Sequence, residues 1–584
     1  MENRHRLIAA TPIGWLALTA VALMLLGGAR TPKRDAAFRT LVNQFIDAEM
    51  RLFPESATAA GDHRFDGRLS DLSSAGIARM VAHARLWKAR FQRFGSTGLS
   101  AHNEADREWL IAYADGELLW NVEVQTYRRD PGAYLPTAAI QGLLERDFAP
   151  LSQRMRSVTS REHAALANLA VARANLAPAM VPPVYVRITL EQLPATMEFF
   201  RHEVPAAFAT LSDNSAKRAF IAANQQLLAA IGDYGRWLRR LQPTATGSFA
   251  LGPDAYRRML ADDDMIDLPL DRLEAVGEAE LARVRGEFTR VAAEIDPHHD
   301  PGQVYRAISR NHPPAAQVIP EVGASLSALR DFVISHHIVS MPPLPGNSSG
   351  PIVRETPPFM RATTFASMDA PGPLEKSPQA YYYVTLPDPS WPKARQEQLL
   401  EFFWPPSISD TSVHEVYPGH YVQFLHDRDI PDLVRTLFYS GANVEGWAFY
   451  CEEMMLDQGL HAGYPEFRLA QLQMALLRAC RYLVGLRMHT QGMSVEQASA
   501  FFAANAYMPH NNAMMEALRG TEDPGYLRYQ LGKLMILKLR ADVRKREGRA
   551  FDLQKFHDAF LHEGGLPIGL IRRAMLGPDS GDAL

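Results

Sequence analysis

Cysteine is almost missing from this chain: Cys451 and Cys480 are the two in 584 residues. Each falls inside a helical pattern, and two are far too few for a disulfide scaffold in an oxidising compartment. They also lack the pairwise spacing of a Cys-rich zinc site, so both are expected as core thiols, with a single disulfide as the minority reading. An excess of one charge is missing too. Lys plus Arg number 61 against 65 Asp plus Glu, a formal net charge of -4, without a basic run that could track phosphates. Nucleic acid is therefore not an expected partner. Internal repeats and low-complexity segments are absent, which disfavours a solenoid. At this length one hydrophobic core usually stops growing, so either two domains or one large helical body is expected.

Arg4 and Arg6 precede an uncharged stretch from Leu7 to Ala29, after which come Arg30, Lys33, Arg34 and Asp35. This pattern predicts a signal peptide or an N-terminal membrane anchor over residues 1–29. Gly27, Gly28 and Ala29 suit a signal peptidase, while the apolar stretch approaches the roughly 20 residues that span a bilayer. The body is expected outside the cytoplasm, released into the periplasm or anchored in the inner membrane facing it. No cysteine sits near the end of the apolar stretch, which argues against a lipoprotein.

Residues 36–340 read as a succession of amphipathic helices. In Asp271 to Glu294, for example, Leu273, Val276, Leu281, Val284 and Phe288 recur at helical spacing. Breaks fall at Pro182-Pro183, at Pro313-Pro314 and over Met341 to Pro351, which holds four prolines and two glycines. Between Pro351 and Pro389 the pattern changes to short aromatic and apolar runs, Pro351 to Glu355 and Ala380 to Leu386, which predict strands. After Pro392 the helical period returns. The expected fold is mainly α, with a small β-sheet just before the chemistry, an N-terminal helical region over 36–340 and a catalytic region over 341–584, both within one continuous helical body.

The chemistry concentrates in Thr411 to His420, which reads TSVHEVYPGH. Zinc peptidases commonly place two His at i and i+4 of one helix, about 40° apart around the axis, with the intervening Glu activating a zinc-bound water. Here His414 and His420 are six apart. A regular helix would separate them by about 120°, so both reach one ion only if the helix breaks between them. Pro418-Gly419 is the pair able to do this, because proline removes an intrahelical hydrogen bond and glycine tolerates the resulting dihedrals. Without such a bend the segment would be a helix that happens to hold two His. Downstream, Glu445 and Glu452 lie seven apart on one face of a second helix, amid Trp447, Ala448, Phe449, Met454, Met455 and Leu456. So apolar a setting fits poorly with a solvated acidic face. Glu445 is the candidate third ligand, and Glu452 a candidate acceptor from a ligating imidazole.

HExxPGH, then Gln423, then EGWAxYxE together resemble the bacterial domain-of-unknown-function 885 family, whose members are similar to zinc peptidases of gluzincin type. The resemblance runs from about residue 36 to the C-terminus. It implies His414, His420 and Glu445 as ligands of one Zn2+ per chain, Glu415 as catalytic base, and a helical body around a deep active-site cleft with the sheet flanking the active-site helix. It also implies that the strand containing Tyr382 is an edge that binds substrate backbone by strand addition. Arg478, Arg481 and His489 match a helix of the family and are candidates for the supporting or substrate-binding shell, as is Gln423. Tyr529 matches a further segment and is a candidate donor to an oxyanion, with a packed core tyrosine as the equal alternative. Two positions depart from the pattern: Gly485 stands where relatives often carry Asp, and Gly520 where a Tyr usually follows Arg519. The pairs His298-His299 and His336-His337 are expected at the surface.

The function expected is hydrolysis of short peptides by a zinc-activated water. Two rivals stand beside it: a zinc amidase or esterase acting on non-peptide substrates, and a non-catalytic exported binding protein that keeps the metal for structure. Structural zinc sites normally close the fourth position with protein, which three ligands beside Glu415 do not. Neither subsite preference nor oligomeric state is legible.

Overall fold

The helical period read along the chain closes into helices through most of its length. The computed structural model describes residues 31–344, 350–361 and 364–584; the Leu7 to Ala29 segment read as a signal or anchor lies outside them. Among the described residues no helix is long and apolar enough to cross a membrane. The fold is mainly α. The Asp271 to Glu294 pattern falls within a helix over Leu270–Ile295, which buries Leu273, Leu281, Val284 and Phe288 along one stripe.

One large core runs from Phe38 through Leu329 to Ile571 and so joins the N-terminal helices to the C-terminal ones. A second, smaller core gathers Ile140, Leu169, Phe199, Leu227 and Tyr234 from the N-terminal half. Cys451 and Cys480 are both free, buried thiols.

Three strands form one sheet in the order β1 (Ile352–Glu355), β3 (Tyr381–Val384), β2 (Ala366–Asp369), with β1 parallel and β2 antiparallel to β3. This corrects the strand reading. Tyr382 lies between Val353 and Met368, so its strand is central and offers no edge. Burial of all four β3 residues fits a strand covered on both faces. The edges are β1 and β2, and the Ala-Ser-Met-Asp sequence of β2, the edge that lines the cavity described below, lacks the β-branched and aromatic residues that signal a strand.

The two motifs and the segments beside them lie on α1 (Pro405–Glu415), α2 (His420–Asp427), α3 (Gly441–Asp457), α4 (Pro465–Thr490), α5 (His510–Glu522) and α6 (Arg528–Glu547). Proline at the start of α1 and α4 suits a first turn whose N–H groups are unpaired anyway. α3 and α6 cross backbone against backbone. A Cβ on Gly446 would lie 2.6 Å from the Gly532 backbone, and one on Gly532 would lie 1.9 Å from the Ala442 carbonyl oxygen. Only glycine permits that approach, and it brings the start of α6, with Tyr529, beside Glu445 on α3.

Candidate metal centre

α1 ends at Glu415 and α2 begins at His420, so the chain breaks over Val416 to Gly419. The break folds back onto the end of α1: the Gly419 N–H donates to the Val413 carbonyl at 3.0 Å. A Cβ on Gly419 would lie 1.7 Å from the His414 carbonyl oxygen, so no other residue fits. The bend brings the His414 and His420 rings to 4.8 Å between centroids at 90°.

Glu445 completes the group. Its Oε2 lies 3.7 Å from His414 Nε2 and 3.7 Å from His420 Nε2. Ligand atoms 2.0–2.2 Å from a tetrahedral ion stand roughly 3.3–3.6 Å apart, so this spacing is that of a metal triad opened slightly. Glu445 Oε2 is buried and accepts no hydrogen bond from the protein. Such an atom costs free energy unless something satisfies it, and a divalent cation between the three groups would do so. His414 Nδ1 lies 2.8 Å from Glu452 Oε1. Donation to that carboxylate leaves the Nε2 lone pair facing Glu445 and His420.

The electrostatics agree with this donor set. Burial works against charge on His414, yet the neighbouring Glu445 carboxylate and the hydrogen bond with Glu452 raise its pKa from 6.5 to about 9. Burial likewise opposes charge on Glu445, yet the two imidazoles hold its carboxyl well below the ordinary carboxylate range. A second group, His102, Asp106 and Asp432, has metal-like spacing but already holds an internal cation, because Arg435 Nε donates to Asp106 at 3.0 Å.

The triad opens onto a cavity of about 1220 Å³ whose wall includes Glu415 and Tyr529. The helix Pro183–Glu198 contributes Glu191 and Glu198 from the N-terminal half, and β2 contributes Ala366, Ser367 and Met368. Tyr529 is buried except toward the cavity; its hydroxyl accepts from Arg519 Nη2 at 3.2 Å, leaving its own proton free to be donated. Burial and the nearby Glu445 charge push its pKa up to about 12, so it stays protonated.

The remaining candidates separate. Arg478 lines the cavity. Arg481 lines it too but is held in a bidentate pair with Glu516, at 2.7 Å on each arm, which fits the supporting one of its two expected roles. Gln423 does not line the cavity; it donates to Asn443, which in turn holds the Gly564 and Leu566 carbonyls. His489 is also remote, bonded to the Gly520 carbonyl at 2.8 Å and kept neutral by burial, which lowers its pKa to about 4. Tyr382 sits beneath α1, with its hydroxyl 3.5 Å from Ser412 Oγ. Glu516, Arg519 and β2 were not assigned roles from sequence: nothing in the spacing ties Glu516 to an arginine 35 positions earlier. The two departures from the family pattern meet at one side chain. A Cβ on Gly485 would lie 2.7 Å from Tyr526 Cβ, and one on Gly520 would lie 3.1 Å from its ring.

A mainly α-helical body with a His, His, Glu triad at the base of a cavity is the class that fold and site define. The chain belongs to the family described as bacterial protein of unknown function (DUF885), which matches residues 54–575. No curated protein matches it. Among solved structures it is similar to a candidate lipoprotein of unknown function from Shewanella oneidensis, at 26% identity and a TM-score of 0.76, covering 92% of this chain and 99% of that one. It shares its fold with a candidate lipoprotein from Colwellia psychrerythraea, at 17% identity and a TM-score of 0.78, covering 93% and 98%.

Proposed function

We propose that this protein is an exported zinc-dependent peptidase acting on short peptides, with His414, His420 and Glu445 holding the ion and Glu415 as general base. The observation that carries the reading is Glu445 Oε2, buried, unpaired and 3.7 Å from each of two imidazole nitrogens. Two imidazoles and one carboxylate leave a coordination position free for water or substrate. Zinc bound there supplies Lewis-acid chemistry, acidifying water and polarising a carbonyl.

The chain's own groups complete the reaction. Glu415, last residue of α1 and in the cavity wall, takes the proton of the attacking water and passes it to the leaving amine. The Tyr529 hydroxyl donates to the oxyanion. β2 receives the peptide backbone in place of β3. Because Phe365 O accepts from Thr385 N, the alternate residues Ala366 and Met368 direct their backbone groups to the opposite, unpaired edge. The Ala366 carbonyl is taken by the Thr364 hydroxyl at 2.5 Å, which leaves the Ala366 N–H and both Met368 groups for an extended peptide. A cavity of about 1220 Å³ admits a few residues and excludes a folded chain.

Export is supported by the Arg4 to Ala29 pattern and by solved neighbours that are candidate lipoproteins. Elemental mass spectrometry on purified protein and on His420→Ala tests the metal reading. About one zinc per chain, lost in the variant, is expected; metal indifferent to His420 would overturn it.

A further inference from the structure

Arg478 is 6% exposed, faces the cavity, and its Nε and Nη1 have no partner in the protein. Its one polar contact runs from Nη2 to Glu452 Oε1 at 3.4 Å, longer than the 2.7–2.9 Å of a charge-assisted hydrogen bond. Asp410 on α1 is the other carboxyl that feels its charge, and no hydrogen bond joins the two. The guanidinium packs 5.5 Å from the Phe449 ring, which holds the side chain in place without using a donor. Of the other cavity arginines, Arg481 is spent on Glu516, Arg519 donates to Tyr529, Arg361 pairs with Glu355, and Arg395 is exposed and stacks on Trp391.

Burying a charge without satisfying its donors is costly, and either free nitrogen forms a carboxylate fork together with Nη2, whose contact with Glu452 is long. Arg478 is also close to the chemistry. Glu452 Oε1 bridges it to His414 Nδ1, through contacts of 3.4 and 2.8 Å. The imidazole ring separates that Nδ1 contact from the Nε2 that faces the triad, so at about 3.6 Å per extended residue a group held by Arg478 lies a few residues from the scissile bond. Resting on the peptidase reading of this site, we infer that Arg478 receives a substrate carboxylate, and that the protein selects short peptides carrying one within a few residues of the scissile bond. The carboxylate is either the free C-terminus or an acidic side chain.

The experiment uses zinc-loaded full chain carrying Glu415→Gln, so that binding is read without cleavage, and calorimetry with three peptides. These are trialanine, its C-terminal amide, and the amide with Glu as last residue. Trialanine should bind roughly 10- to 100-fold more tightly than its amide, the range of one hydrogen bond to a charged group. Recovery of affinity by the Glu amide assigns the carboxylate to the side chain and supports the inference; weak binding of that amide assigns it to the C-terminus and supports it equally. Equal binding of trialanine and its amide overturns it. Adding Arg478→Met should bring acid and amide within about threefold; an unchanged ratio would remove Arg478 as the receptor. The acid and amide comparison needs no change at Arg478, so it holds even if that variant does not fold. Failure of the unsubstituted, zinc-loaded chain to cleave any of the three would count against the peptidase reading and leave the binding result standing.

Discussion

Two arginines buried to nearly the same degree, Arg161 and Arg478, divide the molecule. Arg161, on the helix Leu151–Asn175 beside the smaller core, is 1% exposed and meets oxygen with every nitrogen. It donates to the carbonyls of Arg68 at 3.0 Å, Pro54 at 3.3 Å and Ala139, and to Thr58 Oγ1 at 2.5 Å. Arg478 has one long contact and two idle nitrogens. Desolvating either cation costs several kcal/mol. In the first case the fold itself offsets that cost by stitching three segments together. In the second it does not, and unmet donors in a cavity wall are what a binding site looks like before its ligand arrives.

The largest break in this comparison comes from the cavity. Glu415→Gln should lower turnover by about 10²- to 10⁴-fold with zinc content and melting temperature unchanged, because it removes a proton acceptor and little volume. Peptide hydrolysis at the parental rate would refute its role. Next, Arg481→Met should destabilise the fold by about 3–5 kcal/mol in denaturant melts, since Glu516 is then buried without its counter-charge. A loss under about 1 kcal/mol would mean the pair is not structural. Arg161→Met should cost about 2–4 kcal/mol by leaving carbonyl oxygens unsatisfied, with zinc stoichiometry preserved. The smallest effect is the most telling one. Arg478→Met should cost less than about 2 kcal/mol, because buried Glu452 loses only a 3.4 Å contact and Asp410 loses no hydrogen bond; a loss matching that of Arg161 would erase the distinction.

The sequence made local features legible and left pairings hidden. Helical spacing in Asp271 to Glu294 marks its buried stripe, and Pro418-Gly419 marks the bend at His420, because both are properties of neighbours in the chain. The seven-residue spacing of Glu445 and Glu452 puts both on the face that meets His414 for the same reason. What was not legible depends on contacts across long separations. The sheet order places the aromatic strand at the centre and leaves the plain Ala366–Asp369 segment at the edge. Arg481 finds Glu516, and His489 finds the Gly520 carbonyl, through helix packing that no periodicity announces. Nor does the chain advertise that the helix Pro183–Glu198 from its first half forms a wall of the cavity.

Tyr526 fills the space over both Gly485 and Gly520, and its hydroxyl donates to the Glu516 carbonyl at 2.9 Å. The two departures from the family pattern are therefore one change seen at two positions. Restoring an aspartate at 485 alone drives its Cβ into Tyr526, so the step is blocked until residue 526 shrinks or moves. A side chain larger than glycine at either position therefore has to be met by a smaller or displaced residue at 526.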